Sequence, residues 1–544
     1  MKSHTEENRI RPDILTLAVY LSVILMMIYG IVSQIIFGDK GAFFSAGPFF
    51  IYAFFYMGVV LAAQKAVYVM VRLRARRSQY LNAQSNMQKT IRVLAISTLV
   101  LGLLIIAGSY AFAVYLMGTP RGFFQMAIAG AAVIFLGGQG VVRGYLQGIG
   151  YTRPIFMSDL IISAVSFVTG IIAILILYRY GLKVNDLFHV DEFSAVYGSC
   201  GMMVGIFFGA LAGFIQNLVS FNIRKAEINE FVKSGAPKYL DNQNDVIAGI
   251  RPHLLLYISL PLMALIDQVF YVLFTMKKHE DYDFITDFGL YSGRILTTVI
   301  VLSIVGCMFF VKKWNRVMAR YERDELEGAR QRYKNTLRFF NMLLLPISAF
   351  TLAAPGTVLG LFFGKSSEMA DHLMIPGAIA VYFLAAAIMH SWLISHMGKS
   401  VVIIVNTAIA FGVHILSLVL FVIVFDLGVM GLAISSLISF VVYDALSQMM
   451  ILSILKLKLN WKMALLKPLL AAVVPGILVF FVNRLLVSVI GEVLTFILCL
   501  VIYWFFFMVI MIATRGIRYH ELSRIPFGVF FKNISRMIGN YEEG

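Results

Sequence analysis

The chain has 544 residues, 60% of them hydrophobic and only 14% charged, with a mean hydropathy of +0.84, whereas soluble domains run near ~45–50% apolar and ~25% charged. A water-soluble globule is excluded. The net charge of +16 would suit a nucleic-acid binder only if the basic residues shared a soluble face; instead they sit in short segments between apolar runs, the pattern of membrane orientation.

A bilayer core takes roughly 20 apolar residues per helix, and the sequence predicts an all-α, polytopic membrane protein with fourteen spans. In chain order they lie near 14–37 (α1), 48–71 (α2), 93–117 (α3), 123–142 (α4), 156–178 (α5), 195–221 (α6) and 254–276 (α7). The rest lie near 288–311 (α8), 339–363 (α9), 373–395 (α10), 401–425 (α11), 428–455 (α12), 464–482 (α13) and 493–514 (α14). The first stretch, Ile14 to Phe37, is longer than a signal-peptide core and no small-residue cleavage site follows it, so it reads as a retained helix. In α13, Lys467 and Pro468 near the start make this the least regular span. The three cysteines, Cys200, Cys307 and Cys499, fall inside apolar runs without metal-ligand spacing and read as packing residues.

An even number of spans puts both termini on one side. Of the 45 Lys and Arg residues, 35 lie on the terminal side, 8 lie opposite, and Lys65 and Arg294 lie within spans. By the positive-inside rule both termini of this multi-pass membrane protein are expected to be cytoplasmic. Residues 224–250 and the tail from Arg515 mix basic with apolar residues. The tail reads as an interfacial segment on the anionic leaflet; for 224–250 that reading and a solvated linker stand equally.

An internal repeat is visible. α4 runs from Phe135-Leu136 to a closing Gly150, and α10 runs from Phe383-Leu384 to Gly398, both fifteen residues on. Near the starts of α6 and α12 stand Gly198-x-x-Gly201 and Gly428-x-x-Gly431. Two six-helix lobes in parallel pseudo-twofold repeat follow from this, with α13 and α14 appended. The expected divisions are an N-lobe over 1–223, a linker over 224–250, a C-lobe over 251–460, the extra pair over 461–514 and a basic tail over 515–544.

The loops have no room for a catalytic domain, and no nucleotide, hydrolase or cofactor motif stands in a usable context. No cofactor and no metal site are expected. Chemistry then rests on ionisable groups within spans, each costing ~2.5–3.5 kcal/mol or more at mid-bilayer. Lys65 in α2 lies seven residues before Arg72, about 10 Å inside the membrane; it faces a cavity, or it snorkels to the interface. Asp267 in α7 and Arg294 in α8 lie at similar depth and read as a pair, either a packing bridge or one whose arginine is shared with a substrate phosphate. Arg143 and Asp159 flank the α4–α5 turn and read as a surface packing pair or a cytoplasmic gate latch. Asp444, His390 and His414 read as isolated polar groups, for packing or for an ion site. Prolines interrupt several spans, and α9, with Pro346 and Pro355, is the expected bent element.

These motifs resemble the polysaccharide-transporter branch of the multidrug/oligosaccharidyl-lipid/polysaccharide (MOP) exporter superfamily, especially the lipid II flippase and stage V sporulation protein B group. The resemblance is carried by Ala62-Ala63-Gln64-Lys65, by Arg143-Gly144-Tyr145-Leu146-Gln147-Gly148, by Pro261-Leu262 with Leu265-Ile266-Asp267, by Tyr291-Ser292-Gly293-Arg294, and by Gly428-Val429-Met430-Gly431-Leu432-Ala433. It implies two lobes around a central cavity, a groove on α13 and α14 for a polyprenyl tail, and alternating-access export of an undecaprenyl-diphosphate-linked saccharide. It also implies cavity cations at Lys65 and Arg294, a helix acid at Asp267, membrane lipids as partners, and a coupling cation, H+ or Na+. Two departures stand out: α1 carries no internal Arg or Lys, and Gly293 occupies a position where many relatives have an acid. The competing readings are a cation-coupled multidrug exporter, an intramembrane glycan transferase, and a non-transporting scaffold; no nucleic acid is expected as a partner.

Overall fold

The computed structural model describes residues 12–236, 243–276, 283–364 and 366–540. Residues 1–11, 237–242, 277–282, 365 and 541–544 lie outside the described residues. Among those described, the chain is all helical, without a strand. Thirteen helical stretches are long and apolar enough to cross a bilayer. The first, Leu17–Ala75, has 59 residues and would be ~90 Å long, about three bilayer thicknesses. It breaks at Gly38, whose φ of 71° leaves the helical region. Counted as α1 and α2 on either side of Gly38, it brings the spans to the fourteen expected. A left-handed residue costs a glycine little, so the predicted loop 38–47 shrinks to a single residue.

The other spans are α3 (Tyr80–Ala107, continued by Ser109–Met117), α4 (Pro120–Gly148), α5 (Arg153–Phe188), α6 (Phe193–Lys233), α7 (His253–Thr275) and α8 (Phe284–Met308). Then follow α9 (Leu326–Ala353, continued by Pro355–Phe363), α10 (Glu368–His396), α11 (Val401–Val424), α12 (Gly428–Ile454), α13 (Lys462–Ile490) and α14 (Glu492–Ala513). At 41 residues α6 outruns the bilayer, and the helix that becomes α7 starts at Gln243. Most of the expected 224–250 linker is therefore helix extension. In α9 the break falls at Ala354 (φ −137°, ψ 57°), while Pro346 sits inside an unbroken helix. Pro355 disfavours the helical conformation of the residue before it, which fixes the bend there.

The chain packs as two compact units, one of Met1–Gly293 with Ile415–Leu432, the other of Arg294–His414 with Ala433–Gly544. The expected lobe boundary at 224–250 differs from this division, because α7 and the first turns of α8 pack on α1 and α2: a Cβ on Gly47 would lie 2.9 Å from Gln268, and one on Gly289 would meet the Asp39 carbonyl.

In the first unit the most extensive helix pair is α5 with α6. Gly201, Gly205, Gly209 and Gly213 form a four-residue stripe on α6, and a Cβ at Gly205 would stand 2.5 Å from the Gly170 backbone. Lipid gives helices no hydrophobic reason to associate, so close backbone approach through small residues does that work. Replacing Gly205 by leucine forces the Gly170 and Ser166 backbone to move as well as the Tyr29 side chain, and overpacking of this kind costs typically ~1–3 kcal/mol. The expected result is a lower melting temperature and a poorly monodisperse protein in size-exclusion chromatography, with Gly412→Leu, which meets open space, as the harmless control.

Gly150 (φ 111°) and Gly398 (φ 72°) both follow their helices in the left-handed region, so the α4 and α10 ends of the repeat share a backbone role. The second glycine pair is less alike: Gly198 lies inside α6, whereas Gly428 opens α12 with φ 54°. In the second unit, α13 packs against α9 and α14, with Tyr503 donating to the Ala472 carbonyl at 2.8 Å. Its outer face, including Leu470, Val474, Ile477 and Phe481, is exposed, as a lipid-facing surface should be. The tail forms a short turn, Tyr519–Arg524, and a helix, Gly528–Met537. A buried ion pair between Arg338 of α9 and Glu521 ties that turn down, and Lys532 and Arg536 flank the Tyr519 ring. Val529, Phe530 and Met537 remain exposed, in keeping with the interfacial expectation.

Candidate functional site

Three groups of polar side chains stand inside the spans. The first surrounds Lys65. α2 widens into a π turn over Tyr56–Ala62, a feature frequent at functional positions, and Lys65 follows within one turn. Gly140, Gly144 and Gly148 of α4 lie flat on this part of α2: a Cβ on Gly144 would stand 2.5 Å from the Gln64 carbonyl. Gln64 donates to Gln147 at 3.2 Å. The Arg-Gly-Tyr-Leu-Gln-Gly segment thus fixes the α2 backbone that carries Lys65. Lys65 itself is half-buried and lies close enough to His253 of α7 for their charges to interact. His253 was not legible as a site residue in the sequence, since it stands 188 positions away at the edge of a span.

One turn deeper in the α4 surface, Arg143 makes an ion pair with Asp159 of α5, and the Tyr56 hydroxyl adjoins the same guanidinium. Arg143 is 2% exposed and is among the largest fully buried side chains. The surface pair read from the sequence is therefore a buried one, because α4 turns this arginine inward against α2 and α5 rather than toward the end of the helix.

Asp267 is 2% exposed and accepts a hydrogen bond from the Tyr291 hydroxyl at 3.0 Å. Beside it Gln268 is fully buried. Gly293 gives the departure from the resemblance a steric reason: a Cβ there would lie 2.3 Å from Oε1 of Gln34 in α1, so an acid does not fit, and Gln34 instead donates to Asp39 at 2.7 Å. Asp267 belongs to the first unit and Arg294 opens the second. Within its own unit Arg294, half-buried, sits in the π turn Leu290–Ile295 with its guanidinium 5.9 Å over the Phe363 ring. Both predicted cavity cations thus stand at or just behind a π turn.

The third group lies in the second unit. His390 of α10 bonds Asp444 of α12 through Nδ1 at 2.7 Å and Tyr333 of α9 through Nε2 at 3.1 Å. These residues read as isolated in the sequence; the structure joins two of them and adds a tyrosine, a grouping that separations of 54 and 57 residues conceal. His414 bonds Ser439 of α12 at 3.1 Å and stays apart. Asp444 also lines a cavity of about 290 Å³ between α9, α10, α12 and α13, whose other polar-tipped walls are Asn341, Ser348, Tyr382, Gln448 and Trp461. Among the described residues no cluster of metal-ligating side chains occurs.

The fold is similar to that of solved structures of a lipid II flippase and of MATE family transporters. No protein-family model matches the sequence, and no curated protein sequence does. Among solved structures the chain is similar to the lipid II flippase MurJ in an inward closed conformation, with a TM-score of 0.64 at 14% identity over 91% of this chain and 97% of that one. It is similar also to an inward-facing multidrug resistance MATE family transporter, with a TM-score of 0.56 at 14% identity over 81% and 98%. A eukaryotic MATE transporter gives 0.56 at 15% identity over 84% and 96%. At these identities the likeness is one of fold.

Proposed function

We propose that this protein is an exporter of the lipid-linked saccharide class, moving an undecaprenyl-diphosphate-linked saccharide across a bacterial cytoplasmic membrane by alternating access, with both termini inside. The observation that carries this reading is the pair of half-buried cations, Lys65 and Arg294, held at π turns within spans that are otherwise apolar. A diphosphate needs charge-assisted donors, and a guanidinium can grip it with two. The exposed apolar face of α13 and α14 offers a prenyl tail a place to remain in lipid, and the fold match that covers the larger share of this chain is to a lipid II flippase. A cation-coupled drug exporter is the second reading, favoured by the buried acids Asp267 and Asp444.

Reconstitution in liposomes separates the two. The expected result is translocation of labelled undecaprenyl-diphosphate sugars, with no uptake or efflux of cationic dyes driven by a proton or sodium gradient. The opposite pattern would install the second reading.

A further inference from the structure

We propose that Tyr333, His390 and Asp444 form a proton-binding site, served by the cavity that Asp444 lines. All three side chains are buried, with His390 and Tyr333 each 1% exposed. They come from three helices, so the site exists only when α9, α10 and α12 are packed together. Asp444 stands ten residues from the end of α12, and His390 six from the end of α10, which puts the cluster ~9–15 Å inside the helix ends.

Two hydrogen-bonding states fit the same coordinates. In one, the Tyr333 hydroxyl donates to Nε2 of a neutral imidazole and Nδ1–H donates to the Asp444 carboxylate, giving the cluster a net charge of −1. In the other, one more proton has formed an N–H bond at Nε2. Imidazolium then donates at Nδ1 to Asp444 and at Nε2 to the Tyr333 oxygen, and the cluster is neutral. Uptake of one proton changes the charge by one and reverses a single hydrogen bond, at separations of 2.7 and 3.1 Å that suit both states.

The titratable side chains around Asp444 are the hydroxyls of Tyr333, Tyr382 and Tyr443, from α9, α10 and α12. α13 brings only apolar residues to the cavity wall, among them Leu469 and Val473. The cavity runs along α9 from Leu352 to Leu337 and reaches Leu459 and Trp461 in the α12–α13 connection, so Asp444 is the member of the cluster that borders open space. A charge change here falls on α9, the helix that bends at Ala354.

The test needs no substrate, so its outcome is independent of the translocation assay: either reading can fail while the other stands. Full-length protein labelled with [15N]histidine is placed in nanodiscs and titrated from about pH 4 to about pH 10 by NMR, the His390 signal being assigned by its loss in His390→Gln. The expected result is a titration of that signal whose midpoint moves by about one pH unit or more in Asp444→Asn. Should Asp444→Asn fail to stay monodisperse, Tyr333→Phe keeps the His390–Asp444 bond, removes only the Nε2 partner, and is expected to move the midpoint by a smaller amount. A His390 signal that does not titrate over this range, or whose midpoint both substitutions leave unmoved, overturns the proposal.

Discussion

Alanine at Lys65 or at Arg294 is expected to slow translocation of an undecaprenyl-diphosphate-linked sugar at least tenfold, with no loss of folded protein. A hydrogen bond to a charged group contributes about 1.5–3 kcal/mol, which corresponds to roughly 10- to 150-fold in a binding equilibrium. Both side chains are half-buried at π turns, whereas Arg143 is enclosed, and a thermal melt of each variant separates loss of headgroup binding from loss of fold. The two replacements should differ in how they are rescued. Arg294→Lys keeps the charge but loses the two-pronged grip and the stacking on Phe363, and should recover only part of the rate; Lys65→Arg should recover most of it. Lys458, an exposed residue of the α12–α13 connection, provides the control: Lys458→Ala should leave the rate unchanged. The measurement is loss of label protection in proteoliposomes, at matched protein incorporation. Full rates in both alanine variants would remove the headgroup role, whatever the substrate.

Much of the fold was legible because the bilayer reduces the problem to span length and loop charge. α1 through α14 follow from hydropathy alone, and even α13, with its lysine and proline, forms as a helix, Pro468 following directly on a π turn over Lys462–Leu466. What hydropathy does not carry is rotation about each helix axis. Arg143 looked superficial by its position near a helix end, yet the glycines at 140, 144 and 148 draw α4 so close to α2 that this arginine is enclosed. The same limit hid the His390–Asp444 bond: each residue had been placed on the right span, but neither helix records in its own sequence which face meets the other. Nor do the polar residues of 224–250 mark a loop throughout: α6 continues as helix to Lys233 and Gln243 already begins the next one.

The largest effect on stability is expected from Asp159→Ala. Arg143 is 2% exposed and Asp159 is 24% exposed, so the two halves of this ion pair do not tolerate the loss of their partner equally. Without Asp159 the guanidinium stays buried with only the Tyr56 hydroxyl beside it, and stranding a buried charge costs roughly 3–5 kcal/mol. With Arg143→Met the volume is nearly kept, and the remaining carboxylate can turn toward solvent or headgroups, at a cost nearer ~1–3 kcal/mol. Thermal unfolding in detergent should therefore rank wild type above Arg143→Met and Arg143→Met above Asp159→Ala. The double replacement Arg143→Met with Asp159→Leu removes both charges and should recover most of the loss, since buried pairs are often matched by apolar residues of similar size. If this pair is in addition a latch that opens during transport, the double variant will be stable yet altered in rate. Equal destabilisation by the two single replacements would mean that Asp159 is as enclosed as Arg143 in the membrane. A double variant no better than Asp159→Ala would mean that α4 and α5 depend on the pair's geometry and not on its neutrality.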